Sequence, residues 1–157
     1  MTVCPVVHPA QSEMQTKDGS CAVFVIVSTP LSVRDALGRM MSHPVMATLN
    51  PDARGSAELV LAEALNNIVE HAYSRDDGQI DVQLCVKNNR LFCEVIDAGL
   101  AMPNHVLPAG LAQPIGADQD LPEGGYGWFL IRSLTHNLTY QRKDARNYLS
   151  FQLNIEQ

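Results

Sequence analysis

The segment from residue 56 to 73 constrains the fold most, because it predicts a long amphipathic helix. Ser56 can cap this helix, and the residues that follow are good helix formers. With about 100° of rotation per residue, the apolar side chains fill one continuous arc. The members of this arc are Val60, Leu61, Ala64, Leu65, Ile68, Val69 and Ala72. We expect the arc to face the core of the domain.

A polar stripe runs along the edge of that arc. Glu63, Asn67 and His71 are each four residues from the next, which makes them neighbours on the helix surface. A carboxylate, an amide and an imidazole at the margin of a buried face need partners, since an unpaired polar group there costs about 1–3 kcal/mol. Taken alone, the triplet also fits an ordinary solvated helix edge.

The rest of the chain predicts an α+β fold, a two-layer α/β sandwich in which a mixed, mostly antiparallel sheet carries helices on one face. Strands are expected at residues 22–28, 80–86, 91–96, 136–142 and 148–155. Further helices are expected at residues 30–41 and 127–135, and a loop or broken turn at 43–55.

The domain organisation follows from the same pattern. Residues 1–20 are expected to form an N-terminal extension, and residues 21–157 a single domain. Residues 98–123 show no periodicity, and a loop of this length in a compact domain is usually functional, often a lid over a site.

Charge and cysteine content exclude several function classes. A net charge of −6 argues against nucleic-acid binding and against attraction to an anionic membrane. None of the four cysteines forms a C-x-x-C pair and the histidines show no ligand spacing, so we expect no zinc site. No signal peptide and no apolar run long enough to span a bilayer is present, which predicts a reduced, cytoplasmic protein.

A second polar motif follows the strand predicted at 91–96. Asp97 comes directly after the apolar strand, and Gly99 lies two residues further on. A carboxylate at a strand end can accept a hydrogen bond from an exocyclic amino group such as that of adenine, and a glycine lets a flat ligand approach the backbone. The same residues also fit an ordinary turn that closes a strand.

A glycine cluster opens the helix predicted near the C-terminus, with the sequence Gly124-Gly125-Tyr126-Gly127. Free backbone N–H groups at a helix start, together with the positive end of the helix dipole, favour a phosphate. The cluster is neither a Walker A loop nor a Rossmann fingerprint, since it lacks Gly-Lys-Ser/Thr and comes late in the chain. A flexible loop end is the alternative interpretation.

In this order and spacing, the three motifs resemble the N box and the two glycine boxes of the GHKL (Bergerat-fold) ATPase/kinase superfamily. The short chain and the phrases Glu-Ala-Leu-x-Asn and His-Ala-Tyr are similar to the RsbW-like anti-sigma-factor serine/threonine-protein kinases. The resemblance covers roughly residues 20–155 and implies the histidine-kinase-like ATPase fold.

The resemblance implies that the chain binds ATP and Mg²⁺. Asn67 would hold the magnesium ion, for which an amide oxygen is a suitable hard ligand. Glu63 would be the catalytic general base toward the attacking hydroxyl group. Asp97 would accept a hydrogen bond from the adenine amino group, and Gly99 would line the base pocket.

The same resemblance assigns the remaining site residues. Gly125, Tyr126 and Gly127 would bind the nucleotide by placing backbone N–H groups near its phosphates, and residues 100–123 would form the ATP lid. His71 is expected to pack against or brace the end of its helix.

The implied activity is transfer of the γ-phosphoryl group of ATP to a STAS-type anti-anti-sigma protein, which competes with a sigma factor for the kinase. A homodimer is a further family expectation. Ala101 replaces the usual second glycine of the first glycine box, Trp128 replaces a smaller residue, and residues 100–123 contain no lysine or arginine. Ala101 and the absence of cations in residues 100–123 favour, as an alternative, a non-catalytic module that keeps the nucleotide-binding fold as a partner scaffold. A detached histidine kinase catalytic domain is a third possibility, disfavoured by the short connection after the N-box helix.

Overall fold

The computed structural model describes residues 20–110 and 126–156 of the 157-residue chain. The five strands of its sheet are β1 (Ser20–Val27), β2 (Gln79–Lys87), β3 (Arg90–Asp97), β4 (His136–Lys143) and β5 (Arg146–Asn154). The sheet order is β1-β2-β3-β5-β4, and all four pairings are antiparallel. The helices are α1 (Pro30–Ser42), α2 (Pro44–Ala47), α3 (Pro51–Asn67) and α4 (Tyr126–Leu134). Within the described ranges, no helix combines the length and the apolar character that a bilayer span requires.

Alternating burial along the strands places the helices on one face of the sheet. On β5, Leu149, Phe151 and Leu153 are buried, whereas the residues between them are partly exposed. Leu61 and Leu65 of α3 belong to the same core and are fully buried. Burying a side chain of this size contributes about 1.5–3 kcal/mol, so packing between α3 and the sheet contributes substantially to stability. The predicted two-layer α+β architecture is confirmed.

Helix α3 begins at Pro51, five residues before the predicted start at Ser56. Asn50 caps it: its Oδ1 accepts a hydrogen bond from the backbone N–H of Ala53 at 2.8 Å. Pro51 occupies the first helical position, where no backbone N–H is needed. The loop expected at 43–55 is therefore wrong, because α2 and the first turn of α3 occupy most of it.

The α-helical geometry ends at Asn67, and the next turn, Ile68–Ala72, is π-helical. The backbone N–H of Tyr73 donates to the Ile68 carbonyl at 3.0 Å, an i→i+5 bond that widens the turn. This widening ends the regular rotation on which the polar stripe was based. The His71 side chain is 76% exposed, so the prediction that it packs against or braces the helix end is wrong.

Strands β1 and β2 are joined by a disulfide bond between Cys21 and Cys85. These residues lie directly opposite each other in the strand register, with their Cα atoms 4.1 Å apart. The prediction of reduced cysteines is therefore wrong for this pair, whose proximity depends on a pairing between residues separated by 64 positions. Cys93 is free and buried, and burial raises the pKa of its thiol.

Candidate functional site

A cavity of about 520 Å³ lies between the C-terminal end of α3, the connection that follows β3, and the β4–β5 hairpin. Its wall is mostly apolar, with a small polar set comprising Asn67, His71, Asp97, Tyr140 and Asn147. This size and this composition are typical of small-molecule sites. The two residues predicted from separate motifs, Asn67 and Asp97, thus line the same cavity.

Asp97 ends β3 and is a buried carboxylate, with 3% of its surface exposed. Its Oδ1 accepts hydrogen bonds from the backbone N–H of Gly99 at 2.9 Å and from Asn147 Nδ2 at 2.8 Å. Burial raises the pKa of Asp97, and the bonds from Asn147 and Gly99 and the charge of Arg142 oppose that rise. A hydrogen-bond donor on a ligand would further stabilise the ionised form of this carboxyl group.

Gly99 allows the chain after β3 to approach the π-helical turn closely. A Cβ atom on Gly99 would lie 2.5 Å from the Ala72 carbonyl oxygen and 2.7 Å from the Ala72 Cβ. The backbone N–H of Leu100 donates to the same carbonyl oxygen at 2.9 Å. The glycine therefore fixes the distance between the end of β3 and the π-helical turn, both of which border the cavity.

Helix α4 begins against the polar stripe of α3. A Cβ atom on Gly127 would lie 2.5 Å from Glu63 Oε2 and 3.7 Å from Asn67 Nδ2. Within the described part of the chain, Asn67 Nδ2 is a buried amide nitrogen without a hydrogen-bond partner. Such a group costs about 1–3 kcal/mol, and it is the kind of exception that a bound ligand explains. Glu63 is partly exposed beside it.

The first part of the predicted lid is attached to α4. Arg132 Nε donates to the Pro108 carbonyl at 2.8 Å. Gly110, with a φ of +61°, lies so close to α4 that a Cβ atom would be 2.8 Å from the Trp128 carbonyl oxygen. Tyr126 opens α4 and is partly exposed. Gly125 and residues 111–123 of the lid lie outside the described residues, so their assigned roles stay predictions.

Sequence reasoning missed the polar residues that the β4–β5 hairpin contributes to the site. Asn147 lies opposite both Asp97 of β3 and Arg142 of β4 in the strand register. It is 5% exposed and interrupts the apolar inward-facing series of β5. An inward-facing asparagine in an otherwise apolar series is the sequence signal that could have found it.

A family model of the histidine kinase-like ATPase domain matches residues 26–153. The chain belongs to this family. The predicted membership of the GHKL type is thereby confirmed, and the motif residues Glu63, Asn67, Asp97 and Gly99 all fall within the matched range.

Curated relatives of this ATPase-domain chain include the serine-protein kinases RsbW of Bacillus thuringiensis (strain Al Hakam) and Bacillus cereus (strain AH820). Each is 30% identical over 97 residues, which cover 59% of this chain and 59% of the relative. The match thus spans less than two thirds of either protein. Among solved structures, Acinetobacter baumannii histidine kinase AdeS aligns with a TM-score of 0.43 and 11% identity, covering 86% of this chain and 68% of that chain.

Proposed function

We propose that this chain is an ATP-dependent serine/threonine protein kinase that acts as an anti-sigma factor and phosphorylates a STAS-type anti-anti-sigma protein. The observation that carries the proposal is the single cavity lined by Asn67 and Asp97 in a histidine kinase-like ATPase domain. The similarity to RsbW serine-protein kinases supports a hydroxyl group as phosphoryl acceptor. The proposed partners are therefore a sigma factor and the STAS-type protein, with no direct contact to nucleic acid or membrane and with a possible homodimer.

The proposed location is the cytoplasm, where ATP and transcription factors are found. Glutathione and thioredoxin keep thiols reduced in that compartment, so the Cys21–Cys85 bond would be exposed to reduction there. The bond lies on the strand pair at one edge of the sheet, and neither cysteine lines the cavity.

In the proposed complex the purine enters the cavity with its amino group toward Asp97. The carboxylate of Asp97 accepts the hydrogen bond, and the apolar wall that includes Ile68, Met102 and Leu149 covers the base. Gly99 keeps the end of β3 close to the π-helical turn beside the base.

One feature of the site fits a magnesium ion: the buried Asn67 Nδ2 has no hydrogen-bond partner among residues 20–110 and 126–156. Rotation of this amide would present its oxygen, a ligand that Mg²⁺ accepts. The described residues contain no group of three or more His, Cys, Asp or Glu side chains placed for a metal ion. Asn67 would therefore share the ion with the nucleotide phosphates and water, and the bound ion would neutralise phosphate charge.

Glu63 is the proposed general base. It would accept the proton of the serine or threonine hydroxyl group as that oxygen bonds to the γ-phosphorus and ADP leaves. Its carboxylate lies against the first turn of α4 at Gly127, and this contact restricts the positions that the carboxylate group can adopt. Catalysis of this kind depends on positioning, because little covalent chemistry is asked of the protein.

The test is to compare Glu63→Ala with wild type in ATP–Mg²⁺ titration and in transfer of labelled phosphate to candidate STAS proteins. We expect nucleotide affinity to be retained and transfer to be lost. Glu58→Ala is the matched control, since Glu58 is exposed on the same helix and, unlike Glu63, is not the carboxylate that lies against Gly127. Transfer by Glu63→Ala at the wild-type rate would remove Glu63 as the base.

A non-catalytic partner-binding module is the second candidate function. Ala101 lines the cavity where the family pattern has a glycine, and residues 100–123 contain no lysine or arginine to pair with phosphate. Absence of any heat change on titration with millimolar ATP–Mg²⁺ would favour this module over the kinase.

A further inference from the structure

Three side chains of the β4–β5 hairpin form a directed hydrogen-bond network behind Asp97. Tyr140 donates its hydroxyl proton to Asn147 Oδ1 at 2.6 Å, and Arg142 Nη1 donates to the same oxygen at 2.9 Å. Asn147 Nδ2 donates to Asp97 Oδ1 at 2.8 Å and to the Leu100 carbonyl at 2.9 Å. The network therefore links the hairpin both to the buried carboxylate and to the chain that follows it.

The surrounding groups determine the orientation of the Asn147 amide. Its oxygen faces two donors, while its nitrogen faces a carboxylate and a carbonyl group. In a flipped amide the nitrogen would face the two donors and the oxygen would face the two acceptors, so all four hydrogen bonds would be lost. The hydroxyl of Tyr140 accepts from the backbone N–H of Met102 at 3.0 Å, which directs its own proton to Asn147. Both protons and both acceptor positions of the amide are thus used within the protein.

This saturation restricts how Asp97 can meet a ligand. Its Oδ1 already accepts from Asn147 and from the backbone N–H of Gly99, and both described bonds of the side chain go to this oxygen. The second carboxylate oxygen, Oδ2, is therefore the one left to accept from a ligand. Asn147 lines the cavity, but its own hydrogen-bonding groups are occupied, so its polar effect on a ligand passes through Asp97.

The same network attaches the start of the connection after β3. Arg142 Nη1 donates to the Gly99 carbonyl at 2.6 Å, Asn147 to the Leu100 carbonyl, and Met102 to Tyr140. Three successive bonds thus tie residues 99–102 to the hairpin. The carboxylate and the adjoining wall of the cavity are held by one rigid set of side chains.

We infer that Asn147, oriented by Tyr140 and Arg142, is a positioning residue that fixes Oδ2 of Asp97 toward the ligand and thereby sets the preference for a 6-amino over a 6-oxo purine. This role rests on the proposed function, since it requires a purine nucleotide in the cavity. It predicts that disturbing the network lowers purine discrimination even though the hydrogen-bonding groups of Asn147 are all used within the protein.

The experiment measures the affinities of ADP and IDP, which differ in having an amino or a carbonyl group at purine position 6. Wild type is expected to prefer ADP at least roughly 100-fold, because a carboxylate cannot pair with a carbonyl oxygen. Asn147→Ala is expected to lower that ratio at least about tenfold, because Asp97 then loses its fixed orientation. Thermal unfolding of each variant shows that the compared samples are folded, and stability alone does not change the ratio.

Tyr140→Phe keeps the ring and removes the hydroxyl group, so it tests the network if Asn147→Ala fails to fold. It is expected to lower the preference for ADP over IDP about tenfold, mainly through weaker binding of ADP. Tyr148→Phe is the matched control, since Tyr148 alternates to the opposite face of the sheet and is expected to leave both affinities unchanged.

Two outcomes separate this role from the proposed function. Wild type that binds neither nucleotide would overturn both. The positioning role alone would be overturned if wild type prefers ADP and either of two results follows. One is a folded Asn147→Ala variant that keeps the ADP-to-IDP affinity ratio within twofold of wild type. The other is a Tyr140→Phe variant that binds ADP as wild type does.

Discussion

Adding one methyl group at Gly99 tests how closely the chain after β3 approaches the π-helical turn at Ala72. In Gly99→Ala the new Cβ would lie 2.5 Å from the carbonyl oxygen, 2.7 Å from the carbonyl carbon and 2.7 Å from the Cβ of Ala72. None of these atoms belongs to a flexible side chain, so relief requires movement of the backbone. Restoring ordinary contact at about 3.4 Å needs a displacement of roughly 0.9 Å.

That displacement gives the magnitude of the effect. The hydrogen bond from Leu100 to the Ala72 carbonyl would lengthen from 2.9 Å to nearly 4 Å and would be lost. Overpacking costs about 1–3 kcal/mol and the lost bond about 1 kcal/mol. We therefore expect Gly99→Ala to lower the free energy of unfolding by about 2–4 kcal/mol.

Urea denaturation measures this change directly. With a slope of about 2 kcal/mol per molar urea, the midpoint should fall by about 1–2 M. Gly55→Ala is the control: Gly55 lies inside α3, and no atom of the residues that the structure describes lies within 4 Å of an added Cβ. Alanine should therefore stabilise by about 0.5–1 kcal/mol. A Gly99→Ala variant within 0.5 kcal/mol of wild type would refute the close approach of the two backbone segments.

Three further predictions address the base, the carboxylate and the disulfide. The Cβ added by Gly127→Ala comes closest to the tip of the flexible Glu63 side chain, with Oε2 at 2.5 Å, whereas Asn67 Nδ2 lies at an ordinary contact distance of 3.7 Å. We expect unchanged melting temperature and ATP affinity but roughly 100-fold slower phosphoryl transfer in labelled-phosphate assays, since the base moves by about 1 Å. Burial raises the pKa of Asp97 above its ordinary value of 3.8, so its contribution to stability declines as pH rises through the raised pKa. Asp97→Asn should lack this decline in denaturation series across pH and should bind IDP better than ADP, since its amide can donate to the carbonyl group. Reducing the Cys21–Cys85 bond should lower the free energy of unfolding by about 3–4 kcal/mol with ADP affinity unchanged, as melting and titration with and without dithiothreitol will measure.

Each of these predictions has a contradicting result. If Gly127→Ala transferred phosphate at the wild-type rate, the reaction would not depend on the position of Glu63. A steeper pH decline in Asp97→Asn than in wild type would assign the pH effect to another group. Equal melting temperatures with and without reductant would show that the bond between Cys21 and Cys85 does not form in solution.

The local sequence was sufficient to predict the hairpin between β2 and β3. Its turn residues Asn88 and Asn89 both have positive φ, which asparagine tolerates and which suits a two-residue turn. The alternating apolar residues on either side supply the register. The strands and the connection between them were therefore predictable from neighbouring residues alone.

The start of α3 and its end were not predictable in the same way. Pro51 suggests a break in a helix unless it occupies the first helical position, and that position is defined by the Asn50 cap. Asn50 is held in turn by a bond from its Nδ2 to the Ile155 carbonyl at 2.7 Å, a contact between distant parts of the chain. The π-helical turn after Asn67 has no sequence period by which it could be recognised.

The candidate site likewise contains residues that local sequence identifies and residues that it does not. Asn67 and Asp97 could be named from their motifs, because each motif is local. The alternation of β5 marks Asn147 as an inward-facing polar residue, but its place beside Asp97 and Arg142 depends on how β3, β5 and β4 align. The pairing of β3 with β5 passes over β4 in the chain, so local spacing does not specify which strand lies beside Asp97.

The attachment of residues 108–110 to α4 determines how readily the segment between residues 110 and 126 can be lengthened. Gly110 lies beside Trp128 and Pro108 is bonded to Arg132, so the chain leaves residue 110 next to the helix that it re-enters at Tyr126. The two ends of the intervening stretch are thus already neighbours, whatever its length. A flexible insertion that doubles the length of a connection between fixed ends costs only about 0.6 kcal/mol in closure entropy. Insertions or tags placed between residues 111 and 125 should therefore be accommodated without loss of the folded sheet.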